Sequence, residues 1–122
     1  MSNQLNVLGT ALEVCCTKSQ TGFYRDGFCH TGAMDLGSHT VCCFITQEFL
    51  EFSKRAGNDL STPVPEYNFP GLKPGDKWCV CALRWLQAEE KEKAAPVILE
   101  ACNARCLEVI PLDTLKLYAH KE

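Results

Sequence analysis

The sequence has no long apolar run, and its opening Met1-Ser2-Asn3-Gln4 carries no basic side chain. Neither a membrane-spanning helix nor a secretory signal is therefore expected. It also lacks a basic stripe. Twelve Lys and Arg stand against 15 Asp and Glu, for a net charge of −3. The densest charge run, Glu89-Glu90-Lys91-Glu92-Lys93, mixes signs in the manner of a solvated face, which excludes nucleic acid as a partner. No Cys-x-x-Cys occurs, so the spacing shared by zinc ribbons and thioredoxin-like centres is missing although the chain holds nine cysteines. An odd number, with neighbours at Cys15-Cys16 and Cys42-Cys43, does not fit the even framework of a small secreted scaffold. It predicts a cytoplasmic protein.

What is present is enough apolar content, 46% of 122 residues, for one modest core, and a single domain over 1–122 is expected. Two stretches, 21–40 and 57–76, belong to neither helix nor strand and exceed the usual loop length. The first spaces Gly22, Gly27, Gly32 and Gly37 for successive turns. The second is stiffened by Pro63, Pro65, Pro70 and Pro74. Both carry Phe, Tyr, Leu, Met or Val, whose burial offsets the entropy of ordering them, so both read as ordered, site-bearing loops.

Between them, 39–46 alternates as a buried strand. Thr46 then caps a helix over 47–56, with Phe49, Leu50 and Phe52 as its stripe and Gly57 as its stop. Residues 78–85 read as a second strand and 86–93 as a polar helix. Strands at 97–102 and 106–110 and a short helix from Leu112 complete the chain. The order predicts an α+β fold in two layers, a mostly antiparallel sheet with helices on one face and two long ordered loops.

The candidate chemistry concentrates in those loops. On a strand Cys79 and Cys81 share a face about 6–7 Å apart, and with Cys29 and His39, or Cys42, they offer four ligands to zinc. The commoner fate of such sulfurs is to pack as small hydrophobes, here between Trp78 and Trp85, and a redox or nucleophilic thiol is the other alternative. Zinc is accordingly an alternative, and no cofactor is the primary expectation. As a nucleophile Cys29 stands out, in a polar loop near Arg25 and His30, with His39 as base and Asp26 or Asp35 to orient the imidazole. Arg25, Asp26, Asn58 and Asp59 form a polar set suited to a small-molecule ligand, or to joining the two loops. Thiol-dependent chemistry on a small ligand is the leading expectation. A non-catalytic binding module and a structural zinc domain are the alternatives.

NVLG near the start, TGFYRDG, HTVC, EFLEFSKRAGNDLSTP, FPGLKPGDKWC and the Val-Ile-Leu-Glu-Ala run together resemble a family of small, mainly bacterial proteins classed as a domain of unknown function. The resemblance spans nearly the whole chain. It implies an α+β fold and no established activity. It also implies that Cys15, Cys29, Cys42, Cys79 and Cys81 recur in the family, while Cys16, Cys43, Cys102 and Cys106 are additions of this chain.

Overall fold

The computed structural model describes residues 4–16, 21–67 and 69–120. Met1-Ser2-Asn3, most of the segment read above as lacking basic charge, lies outside them. Strand β1 (His39–Phe44) leads through Thr46 into helix α1 (Gln47–Arg55). After the second long loop, strand β2 (Lys77–Cys81) runs directly into helix α2 (Ala82–Glu90), and helix α3 (Leu112–Leu117) lies near the end. Single 3-10 turns fall at Pro65–Tyr67, Leu99–Ala101 and Ala104–Glu108. The fold is α+β, with one two-stranded antiparallel sheet among the described residues.

Helix α1 forms as its sequence dictates. The Thr46 hydroxyl accepts from Phe49 N at 3.1 Å, and Phe49, Leu50 and Ser53 make the buried face. At the other end Gly57, at φ +91°, reverses the chain so that Asn58 N donates to Ser53 O at 2.8 Å. This turn delivers Asn58 towards β2.

Helix α2 begins earlier than expected. The strand expected over 78–85 stops at Cys81, because Ala82, Trp85 and Ala88 lie on one helical stripe and all three are buried. Trp85 is the largest fully buried side chain, and its indole N–H donates to Ala95 O at 3.0 Å. The strands expected at 97–102 and 106–110 do not form. The first is reduced to isolated bridges at Val97, antiparallel to Cys43 and parallel to Ala119. Phe44 N donates to Pro96 O and Ile98 N to Cys42 O, both at 2.9 Å, after which the chain coils into the turn at Leu99–Ala101. The second is the turn at Ala104–Glu108, which Asn103 initiates by accepting from Arg105 N at 2.9 Å.

The β1–β2 register is irregular in one informative place. Cys42 faces Cys79 and Val41 faces Val80, but His39 rather than Thr40 faces Cys81. Thr40 is therefore the extra residue of a bulge. Such bulges re-aim side chains at strand ends, and this one sets His39 opposite Cys81.

Candidate functional site

A cavity of about 260 Å³ opens where β2 meets the two long loops, lined among others by Gly37, His39, Asn58, Cys79, Cys81 and Arg84. The first loop fixes His39 through Asp35, four residues earlier. One carboxylate oxygen accepts from His39 Nδ1 at 2.7 Å, and the other accepts from His39 N at 2.8 Å and from the Thr31 hydroxyl at 3.0 Å. The Asp35 side chain is wholly buried, whereas 40% of the His39 side chain is exposed. In a neutral imidazole whose Nδ1 donates to Asp35, Nε2 carries the lone pair. The His39 Cε1 and the Cys81 Sγ lie 3.1 and 3.8 Å from the point where a β-carbon on Gly37 would stand. Imidazole and thiol thus border one small space.

Arg84 enters from the first turn of α2, and one of its amino groups donates to Ala56 O at 2.9 Å. Asn58, two residues beyond Ala56, also lines the cavity. A larger cavity of about 430 Å³, lined by Glu13, Phe44, Lys77, Ile98, Glu100 and His120, contains no thiol. His120 is held there, its N–H donating to Val97 O at 2.7 Å and its ring 4.0 Å from that of Phe44.

The other expected residues have different places. Cys29 is fully buried and disulfide-bonded to Cys79, and Cys15 is bonded to Cys42. In this state Cys29 carries no thiol. Asp26 turns to His30, whose Nδ1 lies 2.7 Å from its carboxylate, and accepts from Phe28 N at 3.0 Å. It is Asp35 that orients His39. The zinc set Cys29, His39, Cys79 and Cys81 divides: Cys29 and Cys79 gather with Cys15, their sulfurs all within 4.8 Å of one another, while His39 and Cys81 line the cavity. Arg25 joins the two loops by donating to Tyr67 O at 3.2 Å, and its guanidinium stands 5.8 Å from the Trp78 ring centre. Asp59 is engaged locally, accepting from the Thr62 hydroxyl at 2.7 Å and from Ser61 N at 2.9 Å, which lowers its pKa below the ordinary carboxylate value.

Two participants were underweighted by the sequence. Arg84 was placed on a strand. Cys81 is read in the sequence as a packed sulfur or a metal ligand and Cys29 is preferred as the reactive thiol, although the position of Cys81 beside the start of a helix is legible once Ala82, Trp85 and Ala88 are taken at a spacing of three.

Fold and site together define a class: a small α+β domain with a thiol and an aspartate-oriented histidine in one cavity, above a cluster of paired sulfurs. The chain belongs to a family described as an uncharacterized protein conserved in bacteria (DUF2237), whose profile matches residues 5–119. Membership agrees with the resemblance carried by the sequence motifs and brings no activity with it. No curated protein matches the chain.

Proposed function

We propose that this protein performs thiol-dependent chemistry on a small ligand held in the cavity between the two long loops, with Cys81 as the thiol and His39 as its base. In this reading the helices form a layer on one face of the sheet, and the loops are an ordered pair that closes over the other side of the cavity. The observation that carries it is that His39, bonded through Nδ1 to the buried Asp35, lines the same cavity as Cys81. A buried carboxylate fixes the imidazole tautomer and leaves Nε2 to take the thiol proton, the division of roles found in Cys/His nucleophile pairs. Arg84 and Asn58 supply donors for an anionic or polar ligand. The role first assigned to Cys29 passes to Cys81.

The reading also accommodates a cytoplasmic location. Disulfides in a reducing compartment are mostly transient and serve catalysis or redox sensing, so paired sulfurs beside a cavity thiol suit that setting.

The test is competitive alkylation with peptide mapping near neutral pH. Cys81 should label about tenfold faster than a free cysteine peptide, and His39→Ala and Asp35→Asn should each remove most of that advantage. His30→Ala should not change it. Labelling no faster than the free peptide, and indifferent to His39, would leave the thiol reading without support.

A non-catalytic binding module is the second reading, favoured by Met34 and Leu36, which are 79% and 94% exposed on the first loop. It predicts that Met34→Ser and Leu36→Ser abolish ligand or partner binding while Cys81→Ser does not.

A further inference from the structure

We propose that the two disulfides form one exchange-coupled unit, through which a small thiol entering the cavity reduces the inner Cys15–Cys42 bond that it cannot itself reach. Cys42 and Cys79 face each other across β1 and β2, and residues directly opposite on antiparallel strands project to the same face. Each is bonded to a cysteine from the chain laid over that face, Cys42 to Cys15 and Cys79 to Cys29. The overlying segments run side by side, since Cys15 N and Cys16 N both donate to Gly27 O, at 2.8 and 3.0 Å. As a result the Cys15, Cys29 and Cys79 sulfurs lie within 4.8 Å of one another. Cys15 is thus a neighbour of both sulfurs of the other disulfide.

All four sulfur-bearing residues are nearly inaccessible, Cys15 and Cys79 at 1% and Cys29 and Cys42 at 0%. Of the four, Cys79 is the one that lines the cavity. A space of about 260 Å³ admits a low-molecular-weight thiol and excludes a protein. Exchange depends on which sulfur can be approached, so reduction starts at Cys79.

The steps balance with a small dithiol as reductant. One of its thiolates attacks the Cys79 sulfur; the Cys29–Cys79 bond breaks, its electron pair leaves on Cys29, and a mixed disulfide forms on Cys79. The second reductant thiol, losing its proton, closes onto the first sulfur, and Cys79 leaves as thiolate. The Cys29 thiolate attacks Cys15, forming Cys15–Cys29 and releasing Cys42 as a thiolate that takes up a proton. Attack of Cys79 on Cys29 then restores Cys29–Cys79 and leaves Cys15, likewise protonated, and Cys42 as thiols. The dithiol has become a cyclic disulfide, and its two electrons and two protons reside on the inner pair. Cys81 takes no part, so the relay is independent of the role proposed for that thiol.

The experiment treats the native, folded protein with one equivalent of a small dithiol, stops exchange by acidification, alkylates the thiols with a maleimide in acidic denaturant, and maps linked peptides by mass spectrometry. Expected are Cys15–Cys29 peptides together with alkylated Cys42, giving way to the end product in which Cys29–Cys79 is linked and both Cys15 and Cys42 are alkylated, in the parent and in Cys81→Ser alike. Recovery of Cys29–Cys79 and Cys15–Cys42 as the sole pairs overturns the proposal. So do cross-pairs that include Cys43, Cys102 or Cys106, which mark scrambling in an unfolded chain, and so does exchange that vanishes in Cys81→Ser. As a second readout, Cys29→Ala/Cys79→Ala should slow reduction of Cys15–Cys42 about tenfold or more, because the entry sulfur at the cavity is gone. An unchanged rate in that folded variant overturns the relay; if the variant does not fold, the parent mapping decides.

Discussion

Cys42 and Cys43 are adjacent in the chain and fully buried, yet they belong to two different chemical regions. Strand alternation sends them to opposite faces of β1. Cys42 meets Cys15 in a disulfide, beside Cys29 and Cys79. On the other face Cys43 lies near Cys102 and Cys106, which remain thiols. There burial pushes all three thiol pKa values upward, Cys106 to about 12, Cys43 further, and Cys102 well above the ordinary thiol value, because a thiolate would have to lose its water. Equal burial therefore gives unequal chemistry. What separates the regions is a partner sulfur within bonding reach and a cavity at one edge.

The comparison is broken most forcefully by reduction. Opening disulfides that close segments of 27 and 50 residues should cost about 2–4 kcal/mol each, read as the difference in guanidinium unfolding with and without a phosphine reductant. Identical midpoints would mean that the paired face contributes no more than the thiol face. On the thiol face, Cys43→Ser should cost about 1–3 kcal/mol by placing a hydroxyl in an apolar site. Cys43→Ala should cost less, since it removes only the sulfur.

Alkaline pH sharpens the contrast. The three thiols stay neutral in the fold, whereas the unfolded chain ionises them as pH passes their ordinary value near 9. Above that point the unfolded state binds fewer protons, so stability is full below about pH 9 and falls as pH rises towards 12. Tyr118, whose pKa is raised by desolvation and then by Glu89, acts in the same direction at higher pH. Cys106→Ala should flatten the decline measured by denaturation at pH 9 to 11; an unchanged slope would mean that Cys106 is not held neutral by burial.

Local signals in the sequence were read correctly where one period dominated. Helix α1 was legible to within one residue because its cap, stripe and glycine stop agree, and β1 because both its faces are apolar. The second strand was overextended because Cys79, Cys81, Leu83 and Trp85 satisfy a spacing of two while Ala82, Trp85 and Ala88 satisfy a spacing of three. Burial of the latter set decides, and Leu83 is left 57% exposed. The apolar runs at 97–102 and 106–110 carry no information on pairing, and β1 gives the first of them only one rung. Of the six residues expected in a shared pocket, His39 and Asn58 line the cavity, while Arg25, Asp26, Cys29 and Asp59 are not among its lining residues. The sulfur partners were not legible, because pairing is set by tertiary approach and not by spacing. The bulge at Thr40, which decides that His39 meets Cys81, leaves no mark in the pattern either.

The smallest expected effect tests whether the cavity side of the comparison is governed by geometry. A β-carbon added in Gly37→Ala would meet His39 Cε1 at 3.1 Å, tighter than ordinary contact, and the imidazole can retreat only against its 2.7 Å bond to Asp35. Two effects on stability oppose each other. Alanine restricts the unfolded chain, worth about 0.4–1 kcal/mol in favour of folding, while the crowding costs a similar amount. The net change in unfolding free energy should stay within about 1 kcal/mol. Cys81 alkylation, by contrast, should slow several-fold as the ring is displaced from its proton-accepting position. Cys102→Ala, on the other face, should leave that rate alone. If Gly37→Ala leaves Cys81 as reactive as before, the His39 ring position does not govern the thiol, and the two faces differ only in how their sulfurs are paired.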